Sequence, residues 1–120
     1  MRNFKELKIW QNGFDIAVQS FKLVSTFPKE EKYGMSSQIT RAAVSIASNI
    51  AEGSSRRSEK DYMRFLEISL GSCFEVETQL LIAAVANFGD EEIRHVLLKE
   101  IDEEQKMLIA FARKLSSQSS

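Results

Sequence analysis

Apolar residues recur every three or four positions through almost the whole chain, and a single proline, Pro28, interrupts its 120 residues. That combination leaves few folds open. Residues at i, i+3, i+4 and i+7 share one face of a helix, whereas a half-buried strand needs alternation of period two. No such alternation lasts more than a few residues here. Proline breaks a helix interior, so the long stretches on either side of residue 28 are free to be helical. The chain reads as helix throughout.

Four helices follow from the pattern. The first is predicted from about Phe4 to Thr26, with Leu7, Trp10, Phe14, Ala17, Phe21 and Val24 on its buried face. A second apolar stripe, Ile9, Ile16 and Leu23, lies roughly 160–200° around the same helix, by its 3.6-residue turn. One stripe is enough to seat a helix in a bundle, so the other is surplus. Phe27-Pro28 ends this helix, because the residue before proline avoids the α region. The second helix is predicted from about Ser36 to Glu52, with Ile39, Ala42, Ala43, Ile46 and Ile50 inward and Gly53 as a left-handed C′ residue. Its alanine and serine content permits close helix approach. The third starts at a capping box, Ser58-Glu59-Lys60-Asp61, and runs through Tyr62, Phe65, Leu66, Ser69, Cys73, Val76, Leu80 and Ala84 to Phe88. Gly71 sits inside it, marking a slight bend or a close approach of another backbone. Gly89-Asp90 closes the third helix and caps the fourth, whose inward residues are Ile93, Leu97, Ile101, Leu108, Phe111 and Leu115. Short connections make neighbouring helices antiparallel. The expected fold is therefore all-α, an up-down four-helix bundle over residues 1–115, with 116–120 a disordered tail.

The length suits one domain. One cysteine, Cys73, rules out a disulfide within the chain. Charges occupy the N-terminus where a signal peptide would have its apolar run, and no run of 18 uninterrupted apolar residues offers a membrane span. A cytoplasmic protein is the expectation. Net charge is −1, yet residues 66–104 hold ten acidic side chains against two basic ones. Such a two-signed molecule suits self-association or partner steering better than uniform DNA binding.

Chemistry finds little foothold. Glu92-x-x-His95 has the spacing that di-iron bundles use, but those need it on two helices, and His95 is the only histidine. One histidine and one cysteine do not make a zinc site. Cys73 has no flanking base to activate it, and no phosphate-binding glycine loop follows a strand. Glu75 with Glu77, and the run from Glu100 to Glu104, read as solvated faces. No enzyme, metal or cofactor is expected.

Two features invite partners. Gln38, Arg41, Ser45, Asn49 and Glu52 form a polar stripe along the second helix, either a solvated strip or a contact with a neighbouring helix or subunit. At the junction of the second and third helices stand Arg56, Arg57, Lys60 and Arg64. Lys60 and Arg64 share a helix face, and each can neutralise a phosphate; basic residues at a helix start are not the electrostatic default. The rival is a protein partner on the acidic surface of the third and fourth helices.

From Phe27 onward the chain also resembles a known family, the four-helix-bundle proteins encoded in intervening sequences of bacterial 23S rRNA genes. The resemblance rests on Phe27-Pro28-Lys29-Glu30-Glu31-Lys32-Tyr33-Gly34, on Gln38-x-x-Arg41-Ala42-Ala43-Val44-Ser45-Ile46 with Asn49-Ile50-Ala51-Glu52-Gly53, and on Gly71-Ser72-x-x-Glu75-x-Glu77-Thr78-Gln79-Leu80. It implies an antiparallel four-helix bundle assembled as a barrel-like homopentamer, and it extends to accessory proteins of diversity-generating retroelements, pentamers that associate with nucleic acid and a reverse transcriptase. On this resemblance Ile9, Gly13, Ile16 and Leu23, with Arg41 and Asn49, are expected at a subunit interface, and the basic cluster at RNA or a nucleic-acid-processing protein. Ala47 replaces a proline common in the family, which implies a straighter second helix; Met35 and Cys73 also depart from its pattern.

Overall fold

The structure, a computed structural model, describes residues 3–118. Four helices account for most of them: α1 (Lys8–Val24), α2 (Met35–Ser54), α3 (Glu59–Val85) and α4 (Glu91–Gln118). Short 3-10 turns precede α1 at Phe4–Glu6 and occupy the α1–α2 connection at Lys29–Glu31. No strand occurs among the described residues. Each helix packs on its neighbours in sequence, α4 closes back on α1, and the diagonal pairs α1–α3 and α2–α4 have no close backbone approach. The result is the expected up-down bundle, 48 Å long and about 20 Å across. α4 continues through Gln118, so the tail expected to be disordered from Ser116 is helical that far; residues 119 and 120 lie outside the described residues.

The core follows the periodicity of α2, α3 and α4. Ile39, Ala43, Ile46 and Ile50 of α2 meet Leu66, Cys73, Val76 and Leu80 of α3 and Leu97, Ile101 and Leu108 of α4. Fully burying each of the larger aliphatic side chains contributes about 1.5–3 kcal/mol. Small residues let α2 and α3 approach closely, and the buried hydroxyls find partners: Ser69 donates to the Ile46 carbonyl at 2.9 Å, and Ser45 and Ser72 share a hydrogen bond at 2.8 Å. Gly53 belongs to this seam. It is not a left-handed C′ residue, since its φ is not positive and α2 runs one residue beyond it. A Cβ there would lie 2.7 Å from Cβ of Phe65 and 3.0 Å from the Tyr62 ring, so glycine is required by proximity.

α1 turns the opposite way from the sequence expectation. Ile9, Ile16 and Leu23 are buried, the last two at 0% exposure, while Phe14 and Phe21 stand 52% and 55% exposed. Gly13 and Ser20 share the inner stripe. A Cβ on Gly13 would come within 3.1 Å of both Glu104 and Ile46, so the stripe holding the small residues is the one that fits between helices. The aromatic stripe, too bulky for that gap, lies outside.

The α3–α4 turn is tightly specified. Asn87, at φ 59°, takes the left-handed position that closes α3, which ends at Val85 and not at the expected Phe88. Phe88 N–H donates to Ala83 O at 2.8 Å and Asn87 N–H to Ala84 O at 3.1 Å, the paired bonds of a Schellman ending. Gly89 is also left-handed, at φ 80°, and a Cβ on it would lie 2.6 Å from the Phe27 ring. Asp90 caps α4 as expected, accepting from Ile93 N–H at 3.0 Å, and its own N–H donates to Thr26 Oγ1 at 2.9 Å. Buried Arg94 reaches back to the Ala83 and Phe88 carbonyls, a cation at the negative end of α3.

Candidate nucleic-acid interface

Ser58 sets the start of α3 as predicted, its hydroxyl accepting from Asp61 N–H at 3.1 Å. The turn ahead of it and the first two turns of α3 present Arg57, Lys60 and Arg64 to solvent. Arg56 is committed differently: it pairs with Glu52 at 3.2 Å and its guanidinium lies 4.8 Å from the centre of the Phe65 ring. Three of the four expected cations therefore face solvent, and the fourth also braces the turn.

Antiparallel packing adds cations that are distant in sequence. The last turns of α4 lie beside the first turns of α1 and α3, with Phe111 edge-on to Tyr62 at 5.8 Å. Lys8 and Lys114 flank one groove of about 260 Å³ between α1 and α4, floored by Leu7, Ile9, Met107 and Phe111. Arg113 lines a second groove, about 330 Å³, beside Met63 and Glu67. One end of the bundle thus gathers Lys8, Arg57, Lys60, Arg64, Arg113 and Lys114, all exposed. Sequence reasoning found only the junction cluster; the signal for the rest was the topology, which folds the basic C-terminal segment back onto that junction. Glu59, Asp61 and Glu67 stand among these cations and keep the end from being uniformly positive.

The expected subunit-interface residues are divided by the structure. Ile9, Gly13, Ile16 and Leu23 fill the chain's own core and present nothing to a neighbour, because the inner and outer stripes of α1 are exchanged. The surplus of apolar surface on α1 is real but belongs to Phe14, Val18 and Phe21, with Trp10 linking Phe4 and Phe14 through ring contacts of 5.3 and 5.2 Å. α3 carries a second unpartnered apolar face: Ile68, Phe74, Leu81, Ile82 and Val85 are exposed, Val85 at 91%. Gly71 lies on this face with nothing within 4 Å of its would-be Cβ, so no intramolecular approach explains it. By length and composition α3 is apolar enough to cross a bilayer, yet its inner stripe is spent on the bundle core.

Arg41 is exposed at a cleft of about 370 Å³ between α2 and α3, lined also by Gln38, Ser45, Glu75 and Gln79. Asn49 is half-buried, and its amide donates to the Ser45 carbonyl and hydroxyl, both at 2.8 Å. The polar stripe of α2 is thus in part a helix–helix contact, with Arg41 left outward.

Cys73 is fully buried, and its thiol is pushed up by burial first and then by the nearby Glu104 and Glu77 carboxyls. His95 and Glu92 are both exposed near the start of α4.

Comparison with known proteins fits this architecture. A crystal structure of a protein of unknown function from the S23 ribosomal protein family of Bacteroides thetaiotaomicron superposes with a TM-score of 0.77 at 24% identity, covering 87% of this chain and 97% of that one. It carries the same fold. No curated protein matches the chain. The profile of the 23S rRNA-intervening sequence proteins matches residues 5–110, nearly the whole bundle, and the chain belongs to that family.

Proposed function

We propose that this protein is a non-enzymatic, cytoplasmic, homopentameric bundle that contacts RNA or a ribonucleoprotein through basic patches repeated around the assembly. The observation that carries this reading is the convergence of Lys8, Arg57, Lys60, Arg64, Arg113 and Lys114 on one end. Self-association is supported by the two exposed apolar faces. α1 and α3 occupy opposite corners, so their outer faces point away from each other. A contact joining the α1 row of one copy to the α3 face of the next is head-to-tail, and such contacts close into a ring when the rotation between copies closes. A ring converts a modest patch into a multivalent one.

RNA affinity measured across a salt series tests the patch. Changing Arg57, Lys60 and Arg64 together to Ala removes three phosphate contacts per copy and flattens log K against log salt by about 2 on a single strand. An unchanged slope, or no RNA binding by the native protein at low salt, rejects it. Light scattering tests the ring, and a monomer mass in dilute solution rejects that part.

A protein-binding scaffold is the second reading, favoured by one observation: Glu91, Glu92, Asp102 and Glu103 are all exposed along α4. Association with a purified basic partner that survives nuclease treatment supports it.

A further inference from the structure

Glu104 belongs to the acidic run that the sequence presents as a solvated face, yet it is 0% exposed. It lies on the inner stripe of α4 between Ile101 and Leu108. Oε1 accepts from Asn12 Nδ2 of α1 at 3.0 Å, and the same amide donates to the Glu100 carbonyl at 3.2 Å. Oε2 has no hydrogen-bond partner and sits against Gly13, where even a methyl group would come within 3.1 Å. One turn earlier on α4, Glu100 lies beside Asp15 of α1, and its Oε1 is buried with no hydrogen-bond partner.

No cation answers these carboxyls. Asp15 of α1 and Glu103 of α4 neighbour Glu100, and Cys73 of α3 neighbours Glu104, with Glu77 close to the same thiol. From α2, Ile46 and Ala47 pack closest to Gly13. Glu77 accepts from Gln105 at 2.7 Å. Among the described residues no lysine or arginine pairs with Glu100 or Glu104. A buried carboxylate without a cation takes up a proton in preference to remaining charged. A neighbouring acidic side chain adds to the preference of Glu100 for its neutral form.

We propose that Glu104, with the Asp15–Glu100 pair above it, is a proton-binding site buried between α1 and α4, and that the bound proton keeps α1 seated in the bundle. Burial raises Glu104 to about 7, against the opposing pull of Asn12, and raises Glu100 to about 8 with Asp15 and Glu103 adding to burial. Both are higher folded than unfolded. Their contribution is therefore complete below about pH 4.5 and is lost as pH climbs through 7 and 8. The site is independent of any nucleic acid.

Chemical denaturation from pH 5 to pH 9, on the native protein and on Glu104→Gln, tests the site. Glutamine keeps the shape and the acceptor for Asn12 but needs no proton. The unfolding constant of the native protein should rise by up to roughly 100-fold over this range from Glu104 alone, at tenfold per unit, and Glu104→Gln should remove most of that rise. Amide exchange, corrected for its intrinsic pH dependence, should show α1 losing protection before α2 and α3. Parallel pH profiles for the two proteins overturn the proposal. A carboxyl carbon NMR titration of the native protein keeps the question open to test if the variant fails to fold: a Glu104 midpoint near 4.5 overturns it, and one near neutrality upholds it.

Discussion

The α2–α3 and α1–α4 seams do similar mechanical work with opposite chemistry. α2 meets α3 through Ala42, Ala43, Gly53, Ser69, Ser72 and Cys73, with small surfaces in contact and hydroxyls spent on carbonyls or on each other. α1 meets α4 through Asn12, Asp15, Glu100 and Glu104, where a carboxyl oxygen in the core has no partner. The first seam is set by volume and is indifferent to solution conditions. The second, on the proposal above, weakens as its buried acid ionises. Packing density therefore tells where a bundle is tight, while the tally of donors and acceptors tells where it is conditional.

Substitutions on each seam sharpen the contrast. Gly53→Ala should have the largest effect, about 1–3 kcal/mol of lost stability by urea unfolding, because the added methyl meets the Cβ of Phe65 and not a yielding side-chain tip. The loss should be the same at pH 5 and pH 8. Asn12→Ala should cost about 1–2 kcal/mol, and its cost should grow with pH. Asn12 stabilises the ionised form of Glu104, so its removal raises that group further and steepens the fall in stability through neutrality. An Asn12→Ala cost that does not change with pH would erase the distinction between the seams. Gly71→Ala is the smallest change and has the opposite sign. With nothing within 4 Å, alanine should stabilise the isolated chain by up to about 1 kcal/mol through helix propensity. If the outer face of α3 receives a neighbouring copy, the same variant should also associate more weakly in sedimentation experiments.

Most of the fold was legible in the sequence, and for local reasons. Ser58 and Asp90 cap their helices because a short polar side chain ahead of an apolar-periodic run has few other uses. The core of α2 follows directly from its isoleucines. Where the reading failed, size competed with fit. The aromatic stripe of α1 promised more buried area, but the presence of Gly13 and Ser20 with Ile9, Ile16 and Leu23 was the better guide to which face meets other helices. Glu104 was hidden by its neighbours in an acidic run, although Leu97, Ile101, Glu104 and Leu108 keep a spacing of four, three and four. Periodicity alone places it inside. The basic end was half legible, since Arg57, Lys60 and Arg64 adjoin in sequence while Lys8, Arg113 and Lys114 join them only once the helices are folded back.

The contact between Gly89 and Phe27 has a consequence beyond its own turn. A ring resting on a bare Cα works like an index notch: any residue with a side chain is refused there, so α4 has one vertical setting against α1. Counted from that notch, Asn12 lies fifteen positions back along the chain and Glu104 fifteen forward, two arms of equal span. The notch at one end of the bundle is thus what delivers the amide of Asn12 to the carboxyl of Glu104 near its middle, about 22 Å away at the helical rise. A slip of one turn would carry that acid away from the amide of Asn12.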